Sequence, residues 1–568
     1  MFKKNNIFFS TNMLTNKRIF YFVLVSIFCI GLFLRLFDLN NFPVGFHIDE
    51  ASLGYNGYSI SLTGKDDNGT KLPLYIDMFG DNRPAGYHYL TIIPIKIFGL
   101  TEFATRFPGA IFGALTIFAF YFLVYAIFEN KKISLVAAIL LAIAPWHIVL
   151  SRASSEAIVA LFFILAGFGL TFHGFKKGEK RWIFQGVLLL SISFFFYHTP
   201  RAFVPLLFMV FLGSLFFIRK SYKINIWRSL AGSALFLIIT TAFLIFLIPG
   251  GTGRFSQVNI FSSFETNFQL QQQIKEDTVA NDNFLFSRTV HNKITNLGYI
   301  FTNNYLEYFS GEFLFTKGGL PAWYNVPRMG LLYLIELPFL LIGLFALIKR
   351  NNSFHKIPLV WLLVAPIVAA ITYDDIPNIN RAAVMFPMFH IISSVGLLHA
   401  YEKVSERKRM LLYTGFFVLL FLNSIYFLHQ YFVNAKTSNP WYRNNGFSQM
   451  MGQVKKVYDQ YDVIVMSKYQ GGIYPLVLFY MRFDPGEYQK AGPPKNKDYG
   501  GFGKFLFVPQ DCPSIHVRNK ILNNKKILYV DKGDCPFEKT IEYRKYDYIT
   551  RGDGTNAFRI IYEQHIKK

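Results

Sequence analysis

Residues 19–50 read IFYFVLVSIFCIGLFLRLFDLNNFPVGFHIDE, an apolar run that gives way to polar residues and an acidic pair. The run from Ile19 to Phe37 is close to the roughly 20 residues that an α-helix needs to cross a bilayer. Basic residues precede it and no small-residue cleavage site follows, so we predict that it is retained as a signal anchor. We therefore expect a membrane protein with no soluble mature form.

The composition of the whole chain fits this expectation. Of the 568 residues, 52% are hydrophobic, 18% are aromatic and only 16% are charged, whereas about 25% are charged in soluble proteins. A net charge of +23 would indicate nucleic-acid binding in a soluble protein, but Lys and Arg also collect on the cytoplasmic loops of membrane proteins. We expect contact with membrane lipid and no nucleic-acid partner.

Further apolar runs predict a polytopic, all-α membrane protein. At about 20 residues per span, the runs indicate about eleven transmembrane helices, near residues 19–37, 104–128, 133–150, 157–175, 182–197, 202–218, 229–248, 329–348, 357–373, 383–400 and 410–432. Residues 87–100 are apolar but short. We interpret them as an interfacial or re-entrant helix, because one more span there would reverse the sidedness of every later basic loop.

The basic residues are distributed unequally between the loops. The N-terminus and residues 131–132, 176–181, 219–228, 349–356 and 403–409 are rich in Lys and Arg, whereas the short loops of opposite parity contain only Arg152, Arg201 and Arg381. By the positive-inside rule, the N-terminus is cytoplasmic, and an odd number of spans leaves the C-terminus outside. The predicted location is the plasma membrane, with residues 38–103, 249–328 and 434–568 facing outward.

The C-terminal segment, residues 434–568, has the pattern of a small α/β domain. A helical pattern at 447–461 precedes runs that are typical of strands at 462–467, 504–508, 525–531 and 558–563. We place a domain boundary between residues 433 and 434. Cys512 and Cys535 fall in this extracytoplasmic domain, where they form either a disulfide or two buried thiols.

The first outer loop contains the most reactive group of residues, Gly45-Phe46-His47-Ile48-Asp49-Glu50-Ala51. An Asp-Glu pair near the membrane surface can supply a base for a hydroxyl nucleophile if its pKa and reach suit the proton. The same two carboxylates can instead stabilise the N-terminus of a helix over residues 51–61. Both interpretations stay open at this point.

Other acids and cations are predicted on the same side of the membrane. They are Asp77, Asp81 and Arg83 before the interfacial helix, and Arg152, Glu156, His198, Arg201, Asp374, Asp375 and Arg381 in short loops. Acids and guanidinium groups at one depth suit a phosphate-bearing lipid, whose leaving phosphate needs neutralising. Within the predicted spans Glu336 is the main acid, and we favour a helix-packing role for it.

The order of a span, an outer loop with Gly-Phe-His-Ile before Asp49-Glu50, and a Pro-containing aromatic helix resembles the GT-C glycosyltransferases. The resemblance is to their protein O-mannosyltransferase and aminoarabinose-transferase kinds, and it covers roughly the first 400 residues in order and topology. The segment Arg152-Ala153-Ser154-Ser155-Glu156 adds to it, since members often carry an Arg and a later acid there. The resemblance implies that residues 1–433 form a GT-C-like transmembrane catalytic domain.

The resemblance also implies an activity and roles for individual residues. The reaction is an inverting transfer from a polyprenyl-phosphate sugar to an acceptor glycan, lipid or protein on the outer face. Asp49 resembles the general base, with Glu50 beside it as an orienting or substrate-binding acid. Glu156 resembles the acid of the second loop. Arg83, Arg152 and Arg201 are the candidates for binding the donor phosphate. Asp81, Glu156, His198 and Arg381 are also expected to bind substrate.

Two features depart from these families, and two rival functions remain. The Lys-Pro-Pro-Leu motif of the aminoarabinose transferases is absent, the nearest stretch being 82–87, and residues 249–328 show no MIR-like insertion. The rival functions are a polytopic transporter or lipid flippase and a non-catalytic envelope scaffold. A proton-coupled transporter needs several carboxylates at the membrane midplane, which the sequence lacks. No metal or cofactor motif is present, although an optional divalent cation is compatible with the loop acids.

Overall fold

The computed structural model describes residues 16–78, 80–216, 224–248, 251, 253–280, 284–468, 472–491, 500–517 and 525–566. Three parts of the predictions lie outside these ranges: the basic N-terminal residues 1–15, Arg219 with Lys220, and Phe79. The described chain is mostly helical and ends in a small sheet. This confirms the predicted class of an all-α membrane region with a C-terminal α/β region.

Eighteen α-helices lie between residues 16 and 433 in the described residues. In chain order they are α1 (Lys17–Leu36), α2 (Ile48–Thr63), α3 (Gly86–Phe98), α4 (Glu102–Phe128), α5 (Lys131–Ile143), α6 (Pro145–Arg152), α7 (Glu156–Lys177), α8 (Lys180–Ser193), α9 (Thr199–Phe216), α10 (Ile224–Ala242), α11 (Gly253–Val258), α12 (Phe264–Val279), α13 (Phe284–Val290), α14 (Lys293–Glu307), α15 (Glu336–Ile348), α16 (Ile357–Ala370), α17 (Phe386–Lys403) and α18 (Glu406–Phe432). Two short strands, β1 (Tyr75–Met78) and β2 (Asp81–Pro84), lie between α2 and α3.

Each of the eleven predicted spans contains a helix, but not every helix has the length and apolarity of a span. Six described helices are long and apolar enough to cross a membrane, or seven if the bent pair α5 and α6 is one span. The chain is thus a multi-pass membrane protein, and the count of eleven stays a prediction. The segment that we interpret as interfacial forms α3, which has 13 residues.

Local chemistry explains where the predicted spans shorten. The predicted span 133–150 breaks at Ala144, which is extended, because the following Pro145 disfavours a helical residue before it. The two halves are bent by 53°. The predicted span 329–348 begins as a helix only at Glu336, because Leu331 N and Leu332 N both donate to Leu314 O instead of continuing a helix.

The described chain divides into two compact units. Unit 1 comprises Met1–Phe37, Asn82–Pro84 and Gly109–Leu428, and unit 2 comprises Asp38–Asp81, Ala85–Pro108 and His429–Lys568. Most of the predicted first outer loop is therefore grouped with the C-terminal residues. The catalytic role assigned to residues 1–433 stays a prediction.

Within unit 1, small residues allow two helices to pack closely. A side chain at Gly343 of α15 would overlap Ile392 O of α17, and one at Gly396 of α17 would overlap Phe339 O of α15. Small residues at helix contacts are the usual device for close packing in membranes. Glu336 lies at the start of this helix pair, fully buried, with Oε2 2.8 Å from His390 Nδ1. This contact fits the helix-packing role that we favour for Glu336.

Unit 2 is built on a six-stranded sheet in the order β4-β5-β3-β6-β8-β7. The strands are β3 (Val463–Ser467), β4 (Gly501–Phe502), β5 (Phe505–Val508), β6 (Ile527–Lys532), β7 (Ile541–Thr550) and β8 (Asn556–Ile566), and the helices are α19 (Phe447–Val457), α20 (Tyr474–Met481), α21 (Pro485–Ala491) and α22 (Pro513–His516). Strand β3 is parallel to both β5 and β6. Such a central parallel strand is buried on both faces, which explains its unbroken apolar sequence.

The predicted C-terminal elements are confirmed, but other elements were not predicted. All four predicted strands and the predicted helix are present. Strands β4 and β7 and the short helices α20, α21 and α22 were missed, and β7 was missed because its exposed residues do not follow a clean alternation. Cys512 and Cys535 form a disulfide. Of the two alternatives that the sequence leaves open, the disulfide is therefore the one found.

Candidate functional site

The Asp-Glu motif forms the first turn of α2 in unit 2. His47 is the N-cap residue, and its Nδ1 accepts a hydrogen bond from Asp49 N at 3.2 Å. Glu50 Oε2 in turn accepts from His47 N at 3.1 Å, which completes a capping box. The helix begins at Ile48, three residues before the predicted start at residue 51, and it is Glu50 rather than Asp49 whose carboxylate completes the cap.

Asp49 is the more accessible member of the pair. Its side chain is 23% exposed, and Oδ2 lies 3.7 Å from His47 Nδ1. A carboxylate at the second position of a helix is stabilised by the partial positive charge of the helix N-terminus. Asp49 thus combines access to solvent with a fixed backbone position, both of which a general base needs.

Glu50 is buried among cations. Only 2% of it is exposed. Arg106 Nε donates to Oε1 at 3.0 Å, and Arg443 Nη2 contacts Oε2. Burial raises the pKa of this carboxyl, but Arg106 and Arg443 lower it by more, so its pKa lies below the ordinary value. Glu50 is therefore ionised at neutral pH and engaged with its own protein.

Arg106 also contacts several other groups within unit 2. Its Nη1 lies 3.5 Å from Glu102 Oε2 and donates to the carbonyl oxygens of residues 39 and 40, and its Nη2 donates to that of residue 45. Tyr480 OH donates to Glu102 Oε1 at 2.6 Å. We did not predict roles for Arg106 or Arg443. An Arg near the end of an apolar helix is costly unless it is paired, and this cost could have identified Arg106.

A second acid pair in unit 2 was also missed. Asp66 and Asp67 follow the last turn of α2 and are 2% and 4% exposed. Asp67 N donates to Asn56 Oδ1 at 2.9 Å. Burial, and then the neighbouring charge of Asp66, raise the pKa of Asp67 to about 7. The pair belongs to a turn in which Asp66 Oδ1 accepts from Thr70 N.

Among the substrate-binding candidates, Asp81 belongs to unit 2 and is buried. The others, from Arg83 to Arg381, belong to unit 1, where the described residues bring several of their loops together. His198 Nε2 lies 2.9 Å from Asn82 O, next to Arg83, and Arg201 Nη1 lies 3.3 Å from His198 Nδ1. Arg201 is buried and directs Nε and Nη2 to Phe194 O. The Arg201 guanidinium thus hydrogen-bonds to the backbone at the start of its own loop.

The loop with Arg152 and Glu156 adjoins the loop with Arg381. Ser155 Oγ donates to Asn380 Oδ1 at 2.7 Å, which joins the two loops directly. Arg152 is fully buried, with Nη1 2.9 Å from Leu34 O, whereas Glu156 is partly exposed. The predicted proximity of these loops is therefore found within unit 1, and their substrate roles stay predictions.

Arg381 is fixed by side-chain contacts within these loops. Its Nη1 donates to Thr372 Oγ1 at 2.7 Å and lies 2.8 Å from Asp374 Oδ1. Burial lowers its pKa, but the hydrogen bond to Asp374 and the nearby Tyr197 outweigh this effect, so the pKa is raised. Arg381 remains a cation at any physiological pH, as a phosphate ligand must. Asp375, the next acid, adopts a positive φ of 50°.

Comparison with known proteins finds a family profile that matches part of the chain and solved structures with a similar fold. Residues 82–246 match the sequence profile of the family described as dolichyl-phosphate-mannose-protein mannosyltransferase. No curated protein sequence matches the chain. Apo ArnT from Cupriavidus metallidurans has a TM-score of 0.54 and 12% identity, over 95% of this chain and 97% of that chain. The same protein bound to undecaprenyl phosphate gives 0.52 and 11%, over 96% and 98%.

The Archaeoglobus fulgidus oligosaccharyltransferase tethered with an acceptor peptide is also similar, with a TM-score of 0.50 and 14% identity. The alignment covers 82% of this chain but spans only 63% of that longer protein. At these identities the likeness shows the fold. Together with the family profile, it confirms the resemblance to GT-C membrane glycosyltransferases.

Proposed function

We propose that this protein transfers a sugar from a polyprenyl-phosphate donor to an acceptor hydroxyl on the extracytoplasmic face, with inversion at the anomeric carbon. The acceptor oxygen bonds to the anomeric carbon as the carbon–oxygen bond to phosphate breaks. The acceptor proton passes to Asp49, and polyprenyl phosphate leaves. Phosphate is a competent leaving group once neutralised, so alignment and electrostatics supply most of the acceleration.

The observation that carries the proposal is that the two motif carboxylates have different environments. Glu50 is buried and bound by two arginines, whereas Asp49 is partly exposed on the same helical turn. A base has to reach substrate and to change its protonation state during turnover. Asp49 is accessible to a substrate, whereas Glu50 is buried and its charge is neutralised inside the protein.

The donor phosphate is assigned to cations of unit 1. Arg83 is half-buried beside the backbone that His198 contacts, and Arg381 is fixed by Asp374. Guanidinium groups bind phosphate oxygens through directed pairs of hydrogen bonds. The similar ArnT structure with bound undecaprenyl phosphate supports a polyprenyl-phosphate ligand for this fold. We assign Arg83 and Arg381 to the donor phosphate, with Arg152 and Arg201 shaping the loops around them.

The experiment compares Asp49→Asn with wild type in proteoliposomes. The donors are undecaprenyl-phosphate-linked mannose, glucose and aminoarabinose, each labelled in the sugar, and the acceptors are membranes of a deletion strain. We expect wild type to move label from at least one donor to acceptor and Asp49→Asn to lose about a thousandfold or more in rate, as expected for removal of a general base on top of lost positioning.

The matched control is Glu265→Gln, which alters an exposed carboxylate in the first turn of α12 without touching the motif. It should transfer sugar at the wild-type rate. Full activity in Asp49→Asn ends the base assignment. A wild-type protein that consumes none of the three donors, while the deletion strain shows unchanged lipid-linked sugars and glycans by mass spectrometry, ends the proposed function and favours a transporter.

A further inference from the structure

Three separate segments of unit 2 converge on the Glu50 carboxylate. Arg106 belongs to α4, His47 N precedes α2, and Arg443 ends the short turn Pro440–Arg443, which follows the last long helix. Arg443 Nη2 contacts Oε2, and Arg443 is itself only 6% exposed. Such a buried guanidinium is costly unless a carboxylate faces it. The contact between Arg443 and Glu50 is therefore a buried ion pair of unit 2 and not an exposed surface pair.

The backbone around Arg443 packs closely against the loop that carries the motif, as the Arg443 side chain does. Gly45 has a φ of 80°, and a side chain there would overlap Arg443 O. Asn444, also at positive φ, donates from Nδ2 to Phe46 O at 3.3 Å. Residues 45 and 46 directly precede the N-cap of α2. The turn that carries Arg443 thus contacts the motif through both backbone and side chain.

The charges of this cluster balance. Glu50 and Glu102 supply two carboxylates, and Arg106 and Arg443 supply two guanidinium groups, with 3.0 and 3.5 Å between Arg106 and its two acids. Removal of Arg443 leaves an excess negative charge in a buried place, which weakens the fixed position of Glu50. Because Glu50 accepts from His47 N and His47 Nδ1 accepts from Asp49 N, a shift at Glu50 passes to Asp49 through two hydrogen bonds.

We propose that Arg443 is a positioning residue for Asp49, acting through Glu50 and His47, so that the segment after the last long helix is part of the transfer machinery. This inference rests on the proposed function and adds the C-terminal region to it. Arg443 need not touch substrate. Its role is to hold the first turn of α2 where the Asp49 carboxylate can take the acceptor proton.

The test uses full-length Arg443→Met and Arg443→Lys in the proteoliposome assay, with the undecaprenyl-phosphate sugar that wild type consumes fastest. A misplaced base lowers kcat and leaves donor binding intact. We expect Arg443→Met to lose roughly tenfold to a hundredfold in kcat, the usual cost of a small misplacement, with an unchanged KM for the donor. Arg443→Lys keeps the charge and should recover part of the loss.

The matched control is Arg559→Met, which removes another fully buried guanidinium of unit 2. Arg559 pairs with Asp531 at 2.7 Å and is not in contact with the motif. It should destabilise the protein but leave kcat per folded molecule unchanged. If Arg559→Met lowers kcat as much as Arg443→Met, or if Arg443→Met keeps wild-type kcat, the positioning role is refuted.

Hydrogen exchange separates this inference from the proposed function. Amides of residues 45–50 should exchange at least tenfold faster in Arg443→Met than in wild type, while those of β3 stay unchanged. An unchanged rate at residues 45–50 overturns the inference even if sugar transfer is real. If exchange at residues 45–50 is faster in Arg443→Met but the protein transfers no sugar, Arg443 still holds the motif in place, and only the catalytic role of that contact is refuted.

Discussion

Asp49 and Glu50 are neighbours in one motif, yet we expect the same isosteric change to affect them in opposite ways. Asp49→Asn should keep the fold and lose activity, whereas Glu50→Gln should lose stability. Asp49 is partly exposed and gains mainly from the helix N-terminus, a contribution of about 0.3–1 kcal/mol. Glu50 is buried against two guanidinium groups that its removal leaves unneutralised.

The magnitude for Glu50 follows from these contacts. Breaking a buried ion pair by removing one partner costs about 3–5 kcal/mol. For a unit of roughly 200 residues, each kcal/mol lowers Tm by about 2–4 °C, so Glu50→Gln should lower Tm by roughly 6–20 °C. The pKa of Glu50 is lowered in the folded state, so its stabilisation is complete above the ordinary carboxyl pKa and is lost as pH falls through the lowered value. Glu50→Gln should therefore show a weaker acid dependence than wild type.

Thermal unfolding of the detergent-solubilised protein, followed by tryptophan fluorescence at pH 7 and pH 4, measures both variants. At pH 7 we expect Asp49→Asn within about 3 °C of wild type and Glu50→Gln well below it, with the gap narrowing at pH 4. Equal losses of Tm in the two variants would refute the division of roles. So would a Glu50→Gln protein as stable as wild type, since the ion pairs would then contribute nothing.

Three further outcomes are expected. Asp67→Asn should raise Tm at pH 8 but not at pH 4. The folded-state pKa of Asp67 is about 7, so its stabilisation is complete below the ordinary carboxyl pKa and is lost as pH rises through 7. Equal effects of the substitution on Tm at both pH values would contradict this. Cys512 and Cys535 are 23 positions apart in sequence, and replacing both by Ser should cost roughly 3 kcal/mol for a loop of this length. Dithiothreitol should lower the Tm of wild type but not of the variant. Sugar transfer should survive EDTA, and activity that chelation abolishes and Mg²⁺ or Mn²⁺ restores would show a metal requirement.

The sequence alone was enough to predict the class of fold and the motif. Long apolar runs can only be satisfied as buried or lipid-facing helices, because every backbone group must be bonded within the run. The eleven runs accordingly all contain helices, and the four predicted strands are present. The motif around Asp49 could also be found in the sequence, because its Asp-Glu pair stands in the outer loop that follows the first apolar run.

The tertiary structure decided which carboxylate of the motif is buried. The interpretation of the motif as a helix cap holds for Glu50, whose carboxylate caps α2. Asp49 remains accessible, and its role as a base stays a prediction. Sequence could not separate them, because the partners of Glu50 lie 56 and 393 residues away. Contacts over such distances depend on packing that no local pattern encodes.

Sequence therefore determined what is local: hydrophobic length, capping, and the alternation that marks a strand. Only the folded chain decided that the Arg152 and Arg381 loops meet through Ser155 and Asn380, and that Arg443 is buried on Glu50. The physical reason is that a charge in a membrane protein is tolerated only where a distant partner compensates it, and the identity of that partner is fixed by three-dimensional packing.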